Sequence, residues 1–381
     1  MKLKKLLSLC LALVLTLGGL SPAVVAQATV LESGDGLGIA PMAFEDYSDV
    51  TVTDPEDYRV YHSVTVGDMI WGQTYALDTP EAIDEYLDVL QDMGFSRIYW
   101  RGLQMAVMAN QLTVRPEANI RMMYQALNYD ANYSENSNFG GLTIDQYLVR
   151  EAHKRGIEVI GQCKWADYGG FGDSTYGSFP FAYYTYHKEH PEWAPVDQWG
   201  MMAQAGAVEF AYPEARKYVV DMIMEEVEKA GYDGVLFIGY TENYDLKFED
   251  QFGYSEPAVT EFKRRYGKTP ELDGLSYNVS LEQWRMLRGE YLTLFLQEMK
   301  TALTDYSSRT NNGDILGVTI NSSKSRQPQI WYQYYDSMVT GNTYLDFETY
   351  VQEGIVDEFH VWGNTAFHKQ TKLIDDLIWL C

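Results

Sequence analysis

Two periods alternate along the chain from about residue 65 onward. Short apolar runs of β type stand at 69–72 (Met-Ile-Trp-Gly), 97–100, 158–163, 234–238, 315–320 and 358–362. Between them lie segments whose apolar residues recur every three to four positions, the spacing of an amphipathic helix. The first helix starts at Thr79-Pro80-Glu81: Thr as N-cap, Pro at the first helical position, and Ile83, Tyr86, Leu87 and Leu90 on one face, with Gly94 past the end. A second spans 143–155 and stops at Gly156, after a loop of about 40 residues that follows Trp100. A third opens at Pro213-Glu214, carries Val219, Met222, Ile223 and Val227 on one face, and ends at Gly231. Further helical patterns cover 256–266, 281–303 and 369–380.

Strands alternating with helices at this spacing imply a parallel sheet, because parallel strands need crossover connections. The long insertions all follow strands, which favours a barrel that builds its site from those loops. No Gly-x-Gly-x-x-Gly follows any strand, so a dinucleotide-binding sheet is disfavoured and no cofactor is expected. The expected fold class is α/β, a (β/α)8 TIM-barrel type. About six β/α units are legible where such a barrel has eight. The chain is therefore expected to be a truncated product lacking the last two, with a missed strand at 63–66 as the alternative. The expected organisation is a signal peptide at 1–28, an acidic linker at 29–60, and the barrel at 61–381 with an aromatic-rich insertion at 164–211.

Residues 1–28 combine a basic start, an apolar stretch from Leu6 to Leu17, and small residues ending in Ala26-Gln27-Ala28. That is the pattern of a secretory leader and not of a membrane span, so a secreted protein is expected. Cys10 lacks the preceding small residue of a lipoprotein processing site. Removing the leader takes three lysines and no acid, moving the net charge from −25 to −28. A surface that acidic repels phosphate backbones and anionic headgroups, so neither nucleic acid nor membrane is an expected partner. Cys163 and Cys381 remain, too few for a disulfide scaffold, and are read as structural.

The segment 165–199 holds eleven aromatics in 35 residues. Two readings stand for it: the core of a subdomain, or a platform for the apolar faces of sugar rings. Trp331-Tyr-Gln-Tyr-Tyr335, after the fifth strand, poses the same choice. Glu242 and Asn243 follow the fourth strand at the end where a barrel builds its mouth. Glu242 held protonated there would donate to a departing glycosidic oxygen, and Asn243 would bond a sugar hydroxyl. Asp167 and Asp245 are rival or partner carboxylates. Trp165, Tyr168, Tyr240, Trp362 and Asn364 complete the expected substrate contacts. Glu358 starts its strand and is expected in the lower layers of the barrel or in an internal ion pair, and His360 is expected to be a satisfied core histidine. His187 and His190 stand three apart before a proline without a third ligand of defined spacing, so no metal is expected. No Gly-x-Ser-x-Gly elbow occurs.

Three stretches carry a resemblance. Glu151-Ala-His-Lys-Arg-Gly-Ile-Glu-Val159 is the first. His190-Pro-Glu-Trp193, running on to Phe210-Ala-Tyr-Pro-Glu-Ala-Arg216, is the second. Phe252-Gly-Tyr-Ser-Glu-Pro257 with Glu261-Phe-Lys-Arg-Arg-Tyr-Gly267 is the third, and Trp284-Arg-Met-Leu-Arg-Gly-Glu-Tyr291 continues it. Together they resemble the bacterial glycosyl-hydrolase-like family-10-type barrel proteins. The resemblance implies a secreted (β/α)8 protein acting on or binding carbohydrate, often polysaccharide. Many relatives carry Asp and Arg at the end of the fourth strand, after an Asp-Gly pair. Here Asp233-Gly234 is present, but Ile238 and Thr241 stand at those positions. The expected function is a glycoside hydrolase using carboxylate acid/base chemistry, with a non-catalytic carbohydrate-binding barrel as the alternative.

Overall fold

The computed structural model describes residues 61–64, 77, 79–114, 139–164, 182–184, 186, 189–204, 207–238, 252–270, 279–321 and 344–362. Six strands among them form one parallel sheet: β1 (Tyr61–Val64), β2 (Arg97–Trp100), β4 (Glu158–Lys164), β6 (Gly234–Ile238), β7 (Ile315–Asn321) and β8 (Glu358–Trp362). Their order in the sheet is their order in the chain, with every pairing parallel. The intervening helices are α1 (Pro80–Asp92), α2 (Gly102–Gln111), α3 (Ile144–Lys154), α4 (Pro213–Ala230), α5 (Glu256–Tyr266), α6 (Val279–Arg309) and α7 (Phe347–Gln352). A separate antiparallel pair joins β3 (Leu112–Val114) to β5 (Ala182–Tyr184).

The sheet is curled as a barrel wall. In a flat sheet β2 and β8, four positions apart, would be separated by about 19 Å. Instead the Tyr99 hydroxyl donates to Glu358 Oε2 at 2.6 Å, and the Tyr99 and His360 rings meet edge-on with centroids 4.5 Å apart. The register supplies the tilt. Following the backbone pairings from Arg97 through β4, β6 and β7 to Glu358 advances four residues over four strand steps. One residue per strand is the stagger of an eight-stranded barrel with a shear of eight.

Alternation sorts the strand residues between two cores. Tyr99, Ile160 and Leu236, with Tyr61 and Ile315 against them, fill the concave side. Ile98, Trp100, Val159, Val235, Phe237, Leu316 and Val318 face outward into the main core under α1, α3, α4 and α6. Caps fix the helix starts as the sequence implies. The Thr79 hydroxyl accepts from Ala82 N at 3.2 Å. Thr143 and Gln146 form a reciprocal capping box, and Gly231 ends α4 in the left-handed conformation.

The same latch closes the lower end of two units. Asp233 Oδ2 accepts from Val159 N at 2.8 Å and pairs with His153 Nε2 at 2.8 Å. Asp357 Oδ2 accepts from Leu316 N at 2.7 Å and from Lys300 Nζ at 2.9 Å. Gly234 after the first of these is required by close approach, since a Cβ there would stand 2.2 Å from the Ile315 carbonyl oxygen.

Three differences from the sequence reading emerge. The strand that pairs with β2 is Tyr61–Val64, overlapping the lead-in run at 63–66, while the run at 69–72 lies outside the described residues. The stretch after Trp100 holds α2, which starts with no intervening loop, and not loop throughout. Part of the aromatic insertion pairs as β5. The boundaries at 28 and 60 and the helix at 369–380 lie outside the described residues. Among the described residues no helix is long and apolar enough to cross a membrane.

Candidate functional site

The two ends of the barrel differ in chemistry. At the lower end, where strands begin, Arg97 ties three strands together. Its Nη2 stands 2.7 Å from Glu158 Oε2, its Nη1 3.3 Å from the Tyr99 hydroxyl and in direct contact with Glu358 Oε1, and its guanidinium lies 4.8 Å over the Tyr61 ring. His360 Nε2 is 3.2 Å from Glu358 Oε2. Burial opposes ionisation of Glu358, but hydrogen bonds from His360 and Tyr99 and the Arg97 charge prevail and hold its carboxyl down at about 2. Burial raises the Tyr99 hydroxyl above its ordinary value, and the bond to Glu358 adds to that. Glu358 is thus an internal ion pair and His360 a satisfied interior histidine. With every member paired, this network closes the floor of the barrel.

A site therefore belongs at the opposite end, past the ends of the strands. There β2 runs into Arg101, β4 ends at Lys164, β6 at Ile238 and β7 carries Thr319, all four buried. Gln162 Nε2 donates to the Ser63 hydroxyl at 2.7 Å and to Tyr99 O at 3.0 Å, bracing β4 against β1 and β2. Gln104 Oε1 accepts from Lys164 N at 2.7 Å and from Cys163 Sγ at 3.4 Å. Cys163 is buried and forms no disulfide among the described residues.

Of the expected site residues, Trp362 is the last residue of β8, in register with Asn321 of β7. Glu242, Asp167, Asp245, Trp165, Tyr168, Tyr240, Asn243 and Asn364 lie outside the described residues. In the aromatic segment, the core reading holds for Tyr186 and Trp193, which are buried in the main core, whereas Trp199 is exposed. His190 stacks on Trp193 at 3.9 Å between ring centroids and meets Glu192 at 3.0 Å. Among the described residues no three His, Cys, Asp or Glu side chains converge as a metal site. Sequence reasoning missed Arg101 and Gln104. The available signal was alternation: Arg97, Tyr99 and Arg101 share one face of β2 and its extension, and Gly102 follows at once.

No protein-family model matches the chain, and no curated protein matches it. Among solved structures it is similar to a β-galactosidase from the psychrophilic Marinomonas ef1, at 12% identity and a TM-score of 0.43, covering 80% of this chain and 40% of that one. It is also similar to a Paenibacillus sp. cycloisomaltooligosaccharide glucanotransferase complexed with cycloisomaltoheptaose, at 12% identity and a TM-score of 0.45, covering 85% and 37%. A putative α-amylase from Salmonella typhimurium follows at 13% identity and a TM-score of 0.34, covering 77% and 37%. The chain spans less than half the length of each.

Proposed function

We propose that this chain is a secreted, glycoside hydrolase-like protein, related to the family-10-type barrels its motifs resemble. It cleaves glycosidic bonds of an oligo- or polysaccharide with Glu242 as general acid/base. The observation that carries this reading is the contrast between the barrel's ends. A fully paired floor of Arg97, Tyr99, Glu158 and Glu358 leaves the far end as the site-forming one. Every expected site residue is the last residue of β8 or follows the end of β4, β6 or β8 by at most seven positions. Glu242 stands four residues past Ile238, with Asn243 beside it for a sugar hydroxyl and Trp165, Tyr168, Tyr240, Trp362 and Asn364 as substrate contacts. Asp167 and Asp245 are the candidates for the second carboxyl that glycoside hydrolysis requires.

One observation favours the non-catalytic alternative, a carbohydrate-binding barrel. Ile238, buried at the end of β6, is apolar where the resembled proteins carry an acid. Reducing-sugar release from a panel of polysaccharides, with the full chain and its Glu242→Gln variant, separates the two. The enzyme reading expects turnover to fall by about a hundredfold or more in the variant with glycan affinity retained. Absence of turnover in both proteins, with glycan bound by both, overturns it in favour of the binding barrel.

A further inference from the structure

The insertion between β4 and α4 carries an exposed turn that the expected site residues do not include. Among the described residues six large apolar side chains are exposed, and three of them, Trp199, Met201 and Met202, stand on this one turn. Single exposed apolar residues are ordinary, whereas a cluster of them marks a binding surface. Trp199 is 64% exposed, although Tyr186 and Trp193 of the same insertion are buried in the main core.

The turn is held by its own hydrogen bonds. Asp197, buried at its base, accepts through Oδ1 from Trp199 N at 3.2 Å and from Met201 N at 2.8 Å. Asp197 N donates to Met202 O at 2.9 Å, and Gly200 N donates to Asp197 O at 3.0 Å. Gly200 supplies the left-handed conformation, with φ +66, that closes the turn. Below it Val196 pairs with Ala203 and Asp197 with Phe252, and Val196 O accepts from Gly253 N and Tyr254 N, each at 3.0 Å. Tyr254 stacks on Trp284 in a second buried core. The backbone that presents Trp199 is thus fixed before a ligand arrives, which lowers the ordering cost of binding. The two insertions that build it leave the ends of β4 and β6, on the site-forming side of the barrel.

Two observations choose the occupant. Residues 198–208 carry no charged side chain in a protein of net charge −25, so the ligand that fits them is neutral. Three side chains on one turn also present far less than the roughly 800 Å² that each partner commits to a stable protein interface, whereas one indole face suits one sugar ring. We propose that the 197–202 turn is an accessory binding site for a neutral polysaccharide, with Trp199 stacking on the apolar C–H face of a sugar ring. The inference rests on the carbohydrate reading above and adds to it a contact for the polymer outside the residues that reading names.

The test is affinity electrophoresis of the full chain and of its Trp199→Ala and Trp199→Tyr variants through gels holding amylose, dextran, mixed-linkage β-glucan, xylan, galactan or polygalacturonate. At least one neutral polymer should retard the full chain. Trp199→Ala should weaken that binding by about tenfold, and Trp199→Tyr should keep most of it. Trp199→Ala should melt within about a degree of wild type, because the side chain it removes is exposed. Equal retardation of the full chain and Trp199→Ala by a neutral polymer overturns the inference and leaves the carbohydrate reading standing. Retardation lost in Trp199→Ala, with no reducing sugar released by the full chain, supports the inference and selects the binding alternative of that reading. No polymer retarding either protein overturns both. Polygalacturonate bound through Trp199 as tightly as a neutral polymer, or a melting drop of several degrees in Trp199→Ala, also overturns the inference. So does Trp199-dependent adsorption to phosphatidylcholine vesicles, or Trp199-dependent dimers in sedimentation, without polymer retardation, which assigns the turn to a lipid surface or to a second copy.

Discussion

Replacing Asp145 by asparagine should abolish a fall in stability that the wild type shows between about pH 4 and pH 7. Asp145 lies in the first turn of α3, 1% exposed, and its Oδ1 accepts from Trp100 Nε1 at 2.6 Å. Tyr232, before β6, and Glu226 and Lys229 of α4 face it. Burial pushes its carboxyl up to about 7; the Trp100 bond opposes this and the Glu226 charge reinforces it. The folded state therefore holds this proton more tightly than the unfolded chain, whose carboxyl titrates at about 4. The associated stability is complete below pH 4 and is lost as pH rises through 7, at up to about 1.4 kcal/mol per pH unit, or about 4 kcal/mol in all. The asparagine amide keeps an acceptor for Trp100 and never ionises. Urea unfolding followed by tryptophan fluorescence at pH 5, 6, 7 and 8 should give the Asp145→Asn variant the higher midpoint at pH 8, with the gap closing toward pH 5. Parallel pH dependences for the two proteins would refute the argument, and a lower midpoint for Asp145→Asn at every pH would show that packing outweighs the charge.

Glu358→Gln leaves Arg97 with Glu158 alone, and chemical denaturation at pH 7 should show a loss of about 3 kcal/mol, the scale of breaking a buried pair. Because Glu358 is held at about 2, its stabilisation is present above its ordinary range and disappears as pH falls from about 4.5 toward 2. The variant should lack that acid limb, and an unchanged acid limb would count against the network. Gly234→Ala should fail to give folded protein by circular dichroism, since the Ile315 backbone stands 2.2 Å from the new Cβ. Gly354→Ala, with φ +62 and open space, should cost only about 1–2 kcal/mol. Similar losses at both glycines would refute the close-approach account.

Much of the fold was legible because its signals are local. Thr79-Pro80, Thr143 with Gln146, and Pro213 with Gly231 carry their own capping chemistry, and each helix begins and ends within a residue or two of those marks. The elements that escaped lack such marks. α2 starts directly on Gly102, and its sequence Gly-Leu-Gln-Met-Ala-Val-Met-Ala-Asn-Gln has no charged face to set against an apolar one. β1 was a short run competing with 69–72, and pairing to β2 through Tyr61 and Arg97 is what selects it. The floor network joins residues 261 apart in sequence. Only the one-residue-per-strand stagger brings them to one height, and no local pattern encodes it.

That stagger also explains why the two inward-facing arginines of the β2 face meet different environments. Arg97 sits where the curled sheet brings Glu158 from one neighbour and Glu358 from across the interior, so its charge is neutralised by the fold itself. Arg101, four residues further along the same face, has risen past those carboxylates toward the strand ends, where Lys164 and Ile238 are buried among the described residues. Equal chemistry at equal spacing on one strand thus yields a charge paired within the floor below and, above, one that no carboxylate among the described residues meets. The chain folds around the first without further help.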